Sequence, residues 1–149
     1  MSVAFLYPGQ GAQQVGMMAD LAEASPAARA MFDRADDILG WSVRAVCFEG
    51  PAERLDRTAI FTASAAAVAA LDEALGDSRP EPGMMAGLSL GEYTALYAAD
   101  AIDFEPCLRL VAERGRLMQQ AAEASDSGMV SVLGLGEEAA RKLCEAAAE

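Results

Sequence analysis

The segment Gly87-Leu88-Ser89-Leu90-Gly91 places a serine between two glycines, where a predicted strand gives way to a predicted helix. The run Met84–Leu88 is typical of a short buried strand, and Leu90–Ala99 favours a helix. In such a strand-turn-helix the glycines let the two backbones approach closely, and the serine hydroxyl is exposed at the helix N-terminus. The pattern therefore indicates an α/β fold with Ser89 as a candidate nucleophile.

The remaining chain supplies a second strand and several helices. An apolar run over Val3–Tyr7, ending at Pro8-Gly9, predicts another buried strand. Helices are predicted over Ala27–Leu39, Ala59–Leu75 and Phe104–Ala124. The helix from Ala59 is apolar on nearly all sides, so we expect it to be buried in the body of the domain.

The clearest linker is the turn Ser125-Asp126-Ser127-Gly128. Beyond it the sequence predicts one strand, Met129–Leu133, and one helix, Glu137–Ala148. A single strand and helix cannot bury their own apolar faces. We therefore expect one domain over residues 1–124 and the beginning of a second, incomplete unit over residues 128–149.

Charge and cysteine content exclude several classes of function. Eleven basic and twenty-three acidic residues give a net charge of −12, which opposes binding to nucleic acid. The three cysteines show no spacing typical of a zinc site or a disulfide framework, which favours a reducing compartment. No apolar run reaches the ~18 residues that a membrane span needs. We expect a cytoplasmic protein with no metal and with neither a membrane nor a nucleic acid as partner.

Two features bear on what Ser89 could do. The sequence contains no histidine, the usual base for a serine nucleophile, so the candidate site is incomplete. The loop Gly9-Gln10-Gly11-Ala12-Gln13 follows the first strand but lacks the third glycine of a dinucleotide-binding loop and the lysine of a P-loop. It is either a plain tight turn or a loop that presents a backbone N–H to an oxyanion.

A helical wheel over Phe104–Ala124 singles out Arg114. Glu105, Arg109, Glu113 and Arg116 share one face, where they are ordinary solvated charges. Arg114 falls on the opposite, apolar face, where an unpaired guanidinium costs several kcal/mol. It must therefore meet either an internal carboxylate or an anionic ligand, and the sequence leaves both alternatives open.

With these residues in view, the chain closely resembles the N-terminal half of malonyl-CoA:acyl carrier protein transacylases. The likeness covers nearly the whole chain, and the matching stretches occur in the same order. They are Phe5-Leu6-Tyr7-Pro8-Gly9-Gln10-Gly11-Ala12-Gln13, Gly87-Leu88-Ser89-Leu90-Gly91-Glu92-Tyr93, Ala101-Ile102-Asp103-Phe104 and Arg114-Gly115-Arg116-Leu117-Met118-Gln119.

The resemblance implies a role for each candidate residue. Ser89 would be the nucleophile that becomes malonylated, the backbone N–H groups of Gln10 and Leu90 the oxyanion hole, and Arg114 the group that holds malonate's free carboxylate. The reaction, part of fatty acid biosynthesis, would carry malonyl from coenzyme A to Ser89 and then to the phosphopantetheine thiol of acyl carrier protein. No cofactor is expected, with malonyl-CoA as substrate and acyl carrier protein as partner.

The resemblance also implies a fold. It predicts an α/β-hydrolase-like large subdomain with a short parallel sheet, followed by the start of an incomplete ferredoxin-like small subdomain. The family's catalytic histidine lies in the C-terminal half, which this sequence does not contain. We therefore expect a piece of a longer protein that is inactive alone.

The sequence departs from the family at two further places. Leu88 stands where most members have a histidine beside the nucleophile, which puts acyl selectivity in doubt. Where many members have a Gln-Pro dipeptide, this chain runs directly from Asp56-Arg57-Thr58 into the next helix, so one wall of the pocket is altered.

Two other readings of the sequence are an α/β serine hydrolase acting on neutral esters and a fragment that folds without catalysis. A hydrolase has no need of an arginine facing an acyl carboxylate. A non-catalytic fragment would not acquire an acyl group on Ser89.

Overall fold

The computed structural model describes residues 3–124 and 132–147. The chain divides into two compact units, Met1–Leu117 and Met118–Glu149. This division falls earlier than the Ser125–Gly128 turn, and the assignment of domains to residues 1–124 and 128–149 stays a prediction.

The described residues form two strands and seven α-helices, as in an α/β chain in which helices predominate. The strands are β1 (Val3–Tyr7) and β2 (Pro82–Gly87), and the helices are α1 (Ala19–Ala24), α2 (Pro26–Leu39), α3 (Val43–Glu49), α4 (Arg57–Leu75), α5 (Gly91–Ala98), α6 (Phe104–Glu123) and α7 (Glu137–Ala147). Single 3₁₀ turns cover Ala52–Arg54 and Gly76–Ser78.

The two strands form a parallel pair that aligns their carboxyl ends. Leu6 lies opposite Ala86, and Tyr7 lies opposite Gly87. Parallel strands place the loops that follow them at the same edge of a sheet. The Gln10 loop after β1 and the Ser89 turn after β2 are therefore neighbours.

Helix boundaries follow from local chemistry at several termini. Ser25 Oγ accepts a hydrogen bond from the Ala28 N–H at 3.0 Å and caps α2, which ends at Gly40 in the left-handed region. Asp56 caps α4 in the same way, by accepting from the N–H groups of Thr58 and Ala59. The Ser25 cap agrees with the sequence prediction for α2, whereas the Asp56 cap starts α4 at Arg57, two residues before the predicted Ala59.

Helix α4 forms the centre of the core in the first unit. Phe61 on α4 lies in a cluster of rings with Tyr97 of α5 and Phe104 of α6, at centroid distances of 5.6 to 5.9 Å. In the described part of the chain, one helical segment, Arg57–Ser78, has the length and composition of a membrane span. This differs from the expectation that no apolar run is long enough. Half of that segment is buried inside the protein. Its apolarity is explained by its place in the core.

The sheet carries apolar side chains that the described residues leave uncovered. Leu6 of β1 is 73% exposed and Met84 of β2 is 58% exposed. Each strand has a single strand partner in the described sheet. Packing of β1 and β2 against α5 stabilises the pair, since two strands alone are marginal in water.

The second unit contains α7, an exposed amphipathic helix. Arg141 pairs with Glu137 at 3.2 Å and Lys142 with Glu138 at 3.1 Å, both at i,i+4 spacing. Residues 129–131 of the strand predicted at Met129–Leu133 lie outside the described residues. Val132 and Leu133 are described and are not in a strand.

Candidate active site

Ser89 occupies a strained turn between β2 and α5. Its φ angle is +53°, in the left-handed region that a non-glycine residue rarely adopts, and its side chain is exposed. Such a conformation at a strand-to-helix junction lifts a hydroxyl clear of the backbone. The turn at Ser89 therefore has the backbone geometry of an elbow, and the role of Ser89 as nucleophile stays a prediction.

The turn is possible because Gly87 and Gly91 lack side chains. A Cβ atom at Gly87 would overlap the carbonyl carbon and oxygen of Gly91. A Cβ atom at Gly91 would overlap the carbonyl oxygen of Tyr7 and lie 2.8 Å from that of Pro8. Strand, helix and the end of β1 are thus in direct backbone contact.

The same contacts hold the Gln10 loop beside the elbow. The Leu88 N–H donates to the Tyr7 carbonyl at 3.2 Å, and a Cβ at Gly9 would lie 2.7 Å from the Leu88 carbonyl oxygen. Within the loop, the Gly11 N–H donates to Gln13 Oε1 at 2.8 Å. Gln10 is exposed at the tip of this anchored loop.

Leu90 is the residue between Ser89 and the first residue of α5. Its side chain is fully buried, so its backbone is fixed by core packing as well as by the helix. The N–H groups that follow it are engaged, because those of Gly91 and Glu92 donate to the carbonyl oxygens of Leu88 and Ser89 at 2.9 and 3.3 Å. The positive end of the α5 dipole nevertheless lies at this turn, where it favours a negative charge.

Arg114 of α6 makes a direct contact with the candidate nucleophile. Its Nη2 donates to Ser89 Oγ at 2.8 Å, and its guanidinium carbon lies 5.7 Å from the centre of the Tyr93 ring. Among the described residues no carboxylate lies within 4.0 Å of Arg114. Of the two alternatives left open by the sequence, the internal ion pair is not formed within residues 3–124 and 132–147.

The opposite face of α6 has the ordinary charges predicted for it. Arg109 pairs with Glu105 at 2.9 Å and Arg116 with Glu113 at 2.5 Å, all in exposed positions. Hydrogen bonding to Arg116 lowers the pKa of Glu113. These groups satisfy one another, which leaves Arg114 as the guanidinium of this helix that is free to meet an anion.

Sequence reasoning missed the part played by Tyr93. Its ring contacts Arg114, while its backbone carbonyl accepts a hydrogen bond from Cys107 Sγ at 3.3 Å. Both contacts join α5 to α6. The available signal was the spacing of four residues from Ser89, which places Tyr93 on the side of α5 below the nucleophile.

The Ser89 site is open to solvent in the described part of the chain. A cleft of about 1170 Å³ runs along β2 and α5, but neither Ser89 nor Arg114 lines it. Leu88, next to the nucleophile, is 72% exposed. Among residues 3–124 and 132–147, no group of three or more His, Cys, Asp or Glu side chains could hold a metal ion. The candidate site is therefore identified by the contact of Arg114 with Ser89 and by the strained turn, and not by a deep cavity.

A serine in a strained elbow, with a guanidinium at its hydroxyl and a helix N-terminus directly after it, is an arrangement typical of enzymes that form acyl-serine intermediates. The chain belongs to the acyl transferase domain family, whose sequence profile matches residues 4–146. The resemblance read from the sequence is confirmed.

Two curated relatives show which proteins of that family this chain is similar to. The chain is similar to the malonyl CoA-acyl carrier protein transacylase of Escherichia coli strain K12, with 42% identity over 98% of this chain and 48% of that protein. The transacylase of Bacillus subtilis strain 168 is 39% identical over 99% of this chain and 47% of that protein. The chain thus spans about half the length of the curated relatives it matches.

Solved structures agree in fold. A malonyl-CoA:acyl carrier protein transacylase from Helicobacter pylori superposes with a TM-score of 0.88 at 34% identity, over 98% of this chain and 48% of that one. A malonyl-transacylase in complex with a type II PKS acyl-carrier protein gives a TM-score of 0.85 at 37% identity, over 100% of this chain and 49% of that one. The predicted α/β fold with a short parallel sheet is confirmed.

Proposed function

We propose that this chain is the nucleophile-bearing half of a malonyltransferase that carries malonyl from malonyl-CoA to the phosphopantetheine thiol of acyl carrier protein. The observation that carries the proposal is the contact of Arg114 with Ser89. A half-buried cation without a carboxylate partner in the described residues, placed at the nucleophile, suits an acyl group that bears its own negative charge.

The proposed reaction is two successive thioester exchanges. Ser89 Oγ attacks the thioester carbonyl carbon of malonyl-CoA, the C–S bond breaks, and coenzyme A leaves as its thiol. The phosphopantetheine thiol then attacks the resulting serine ester, the C–O bond breaks, and the proton returns to Ser89. Because the acyl group is carried on the serine throughout, the reaction needs no cofactor.

Two backbone groups would stabilise the tetrahedral intermediates. The N–H groups of Gln10 and Leu90 lie on the two segments that the glycine contacts hold together. Donors fixed in this way are already oriented when the carbonyl oxygen becomes negative, which is the largest contribution in many acyl transfers.

Arg114 would bind the free carboxylate of the acyl group and would not bind the thioester carbonyl. A guanidinium has five N–H donors in a planar fork and can hold a carboxylate by two parallel hydrogen bonds. In the absence of substrate one of these donors lies on Ser89 Oγ. Binding of malonate's free carboxylate would draw Arg114 away from Ser89 and leave a lone pair of the hydroxyl free for attack.

The proton of Ser89 needs an acceptor, and the usual one is histidine. These 149 residues contain no histidine. General-base catalysis contributes about 10²- to 10⁴-fold, so we expect little turnover from the chain alone. In the proposed whole enzyme the base comes from the half that the relatives have and this chain does not span. We propose the cytoplasm as the site of action, with acyl carrier protein as the partner.

The test is a chimera in which this chain is joined to the C-terminal half of the Escherichia coli relative. Intact-protein mass spectrometry after malonyl-CoA treatment should show one malonyl group on Ser89, and holo acyl carrier protein should remove it. Ser89→Ala is the control and should stay unmodified. A folded chimera that turns over neutral esters and shows no preference for malonyl thioesters would instead identify a hydrolase.

A further inference from the structure

Arg57, the first residue of α4, is a half-buried cation whose hydrogen-bonding capacity is mostly unused. Its Nε is fully buried and has no hydrogen-bond partner in the described structure. Its Nη1 makes one long contact, to the Gly115 carbonyl oxygen at 3.4 Å. No carboxylate of the described residues lies within 4.0 Å of it. Such a group is costly unless an anion meets it.

The adjacent carboxylate is already engaged. Asp56 Oδ1 accepts hydrogen bonds from the Thr58 N–H at 2.8 Å, the Thr58 hydroxyl at 2.5 Å and the Ala59 N–H at 3.1 Å. This is the N-cap of α4, so the side chain is directed to the helix terminus. Arg57 is therefore not neutralised by its neighbour in sequence.

Arg57 reaches the turn of α6 that carries Arg114. Gly115, whose carbonyl it contacts, directly follows Arg114, and Arg57 Cδ would lie 3.5 Å from a Cβ at Gly115. Arg57 thus contacts the residue next to Arg114, and neither arginine has a carboxylate partner in the described residues. The other arginines of the chain include five that do: Arg44, Arg79, Arg109, Arg116 and Arg141.

We propose that Arg57 is a second anion-binding residue of the Ser89 site, which holds the carboxylate of the acyl group between Arg57 and Arg114. This inference rests on the proposed function. Among the anionic groups of the substrate, the acyl carboxylate is the one that comes next to Ser89, because the pantetheine arm separates the phosphates from the thioester. The segment directly after Arg57 and Thr58 is also where this sequence lacks the Gln-Pro of many family members.

A purely structural role makes the opposite prediction. If Arg57 only braces α4 against α6 through Gly115, its replacement lowers thermal stability and leaves anion binding unchanged. If it binds the acyl carboxylate, removal of an unpaired cation leaves the ligand-free stability unchanged or raises it, and weakens the response to the anion.

The experiment is a titration of the chain with malonate, followed by ¹⁵N NMR of the backbone amides around Ser89. Arg57→Gln should weaken malonate binding about 10-fold, the scale of one charge-assisted hydrogen bond. Arg54→Gln removes the same charge three residues earlier, from an exposed position, and should change the affinity less than about 2-fold. Arg114→Gln should weaken binding at least as much as Arg57→Gln.

The outcomes separate the two proposals. If Arg57→Gln binds malonate as Arg54→Gln does while Arg114→Gln binds weakly, Arg57 is not an anion-binding residue and the proposed function stands. If the unaltered chain shows no response to malonate that acetate does not also give, the carboxylate role in the proposed function fails as well. Arg57→Lys, which keeps the charge and loses the fork, should give an intermediate affinity and serves if Arg57→Gln does not fold.

Discussion

Arg114 Nη2 lies 2.8 Å from Ser89 Oγ, although 25 residues separate the two in sequence. The contact is made by a half-buried cation with an exposed hydroxyl, so it adds little to folding. We expect Arg114→Ala to change the free energy of unfolding by less than about 1 kcal/mol. The same change should weaken malonate binding about 10-fold or more, measured as a smaller stabilisation by malonate in urea unfolding.

Arg109→Ala is the control for this prediction, because Arg109 lies on the exposed face of the same helix and pairs with Glu105. It should keep the full response to malonate. An Arg114→Ala protein that malonate stabilises as strongly as it does the unaltered chain would show that Arg114 does not bind the carboxylate.

Backbone contact at the elbow predicts a large penalty for one methyl group. Gly87→Ala places a Cβ inside the Gly91 backbone, and we expect a loss of about 3 kcal/mol or more in the free energy of unfolding. Gly83→Ala, in the same strand, meets only the Val3 carbonyl at 3.9 Å and should be nearly neutral. Equal stability of the two variants in urea would mean that the strand and helix are not in contact.

The ring of Tyr93 is expected to hold Arg114 in place. A cation over an aromatic face at this distance contributes about 0.5–1 kcal/mol at partly exposed sites. Tyr93→Phe should preserve the Nε–H NMR signal of Arg114, whereas Tyr93→Leu should shift it by removing the ring current. Leu96→Ala, on the same helix, controls for loss of packing in α5 and should leave this signal in place.

Burial makes two of the three thiols unreactive. It raises the pKa of Cys47 to about 12 and that of Cys107 to about 11, whereas Cys144 is exposed. At about pH 8, native protein treated with an alkylating reagent should therefore gain one adduct by mass spectrometry, and unfolded protein three. Rapid modification of Cys47 in folded protein would contradict its burial.

The same shifts set the direction of alkaline denaturation. Above pH 9 the thiols ionise in the unfolded chain while Cys47 and Cys107 stay protonated in the folded one, so the unfolded state binds fewer protons. The free energy of unfolding should fall as pH rises from about 9 toward 12. Cys47→Ala should make this fall less steep in urea titrations. An unchanged slope would show that Cys47 does not contribute to it.

Local chemistry explains which elements the sequence predicted well. The Ser25 cap and Gly40 mark the ends of α2, and the apolar run of β1 has the bounds that were expected for it. Helices α1 and α3 were not predicted, because six or seven residues give too little periodicity to distinguish a helix from a loop. Strand β2 begins at Pro82 rather than Met84, since pairing with β1 extends it.

The candidate site was predictable in parts for the same reason. Ser89 follows from its motif, and the face of Arg114 follows from helical periodicity. The contact between them, the ring of Tyr93 beneath Arg114 and the approach of Arg57 to Gly115 depend on how distant elements pack. The assignment of the oxyanion groups to Gln10 and Leu90 stays a prediction.

The close backbone approach of Gly87, Gly91 and Tyr7 also limits where the specificity of this site can be changed by substitution. A side chain at Gly87 or Gly91 would overlap backbone atoms, so neither position accepts a larger residue without displacing the elbow. We therefore expect changes in acyl preference to arise at exposed side chains beside the turn, such as Leu88, which is 72% exposed. The two glycines set where the serine stands, and the residues around it are free to vary in size and polarity.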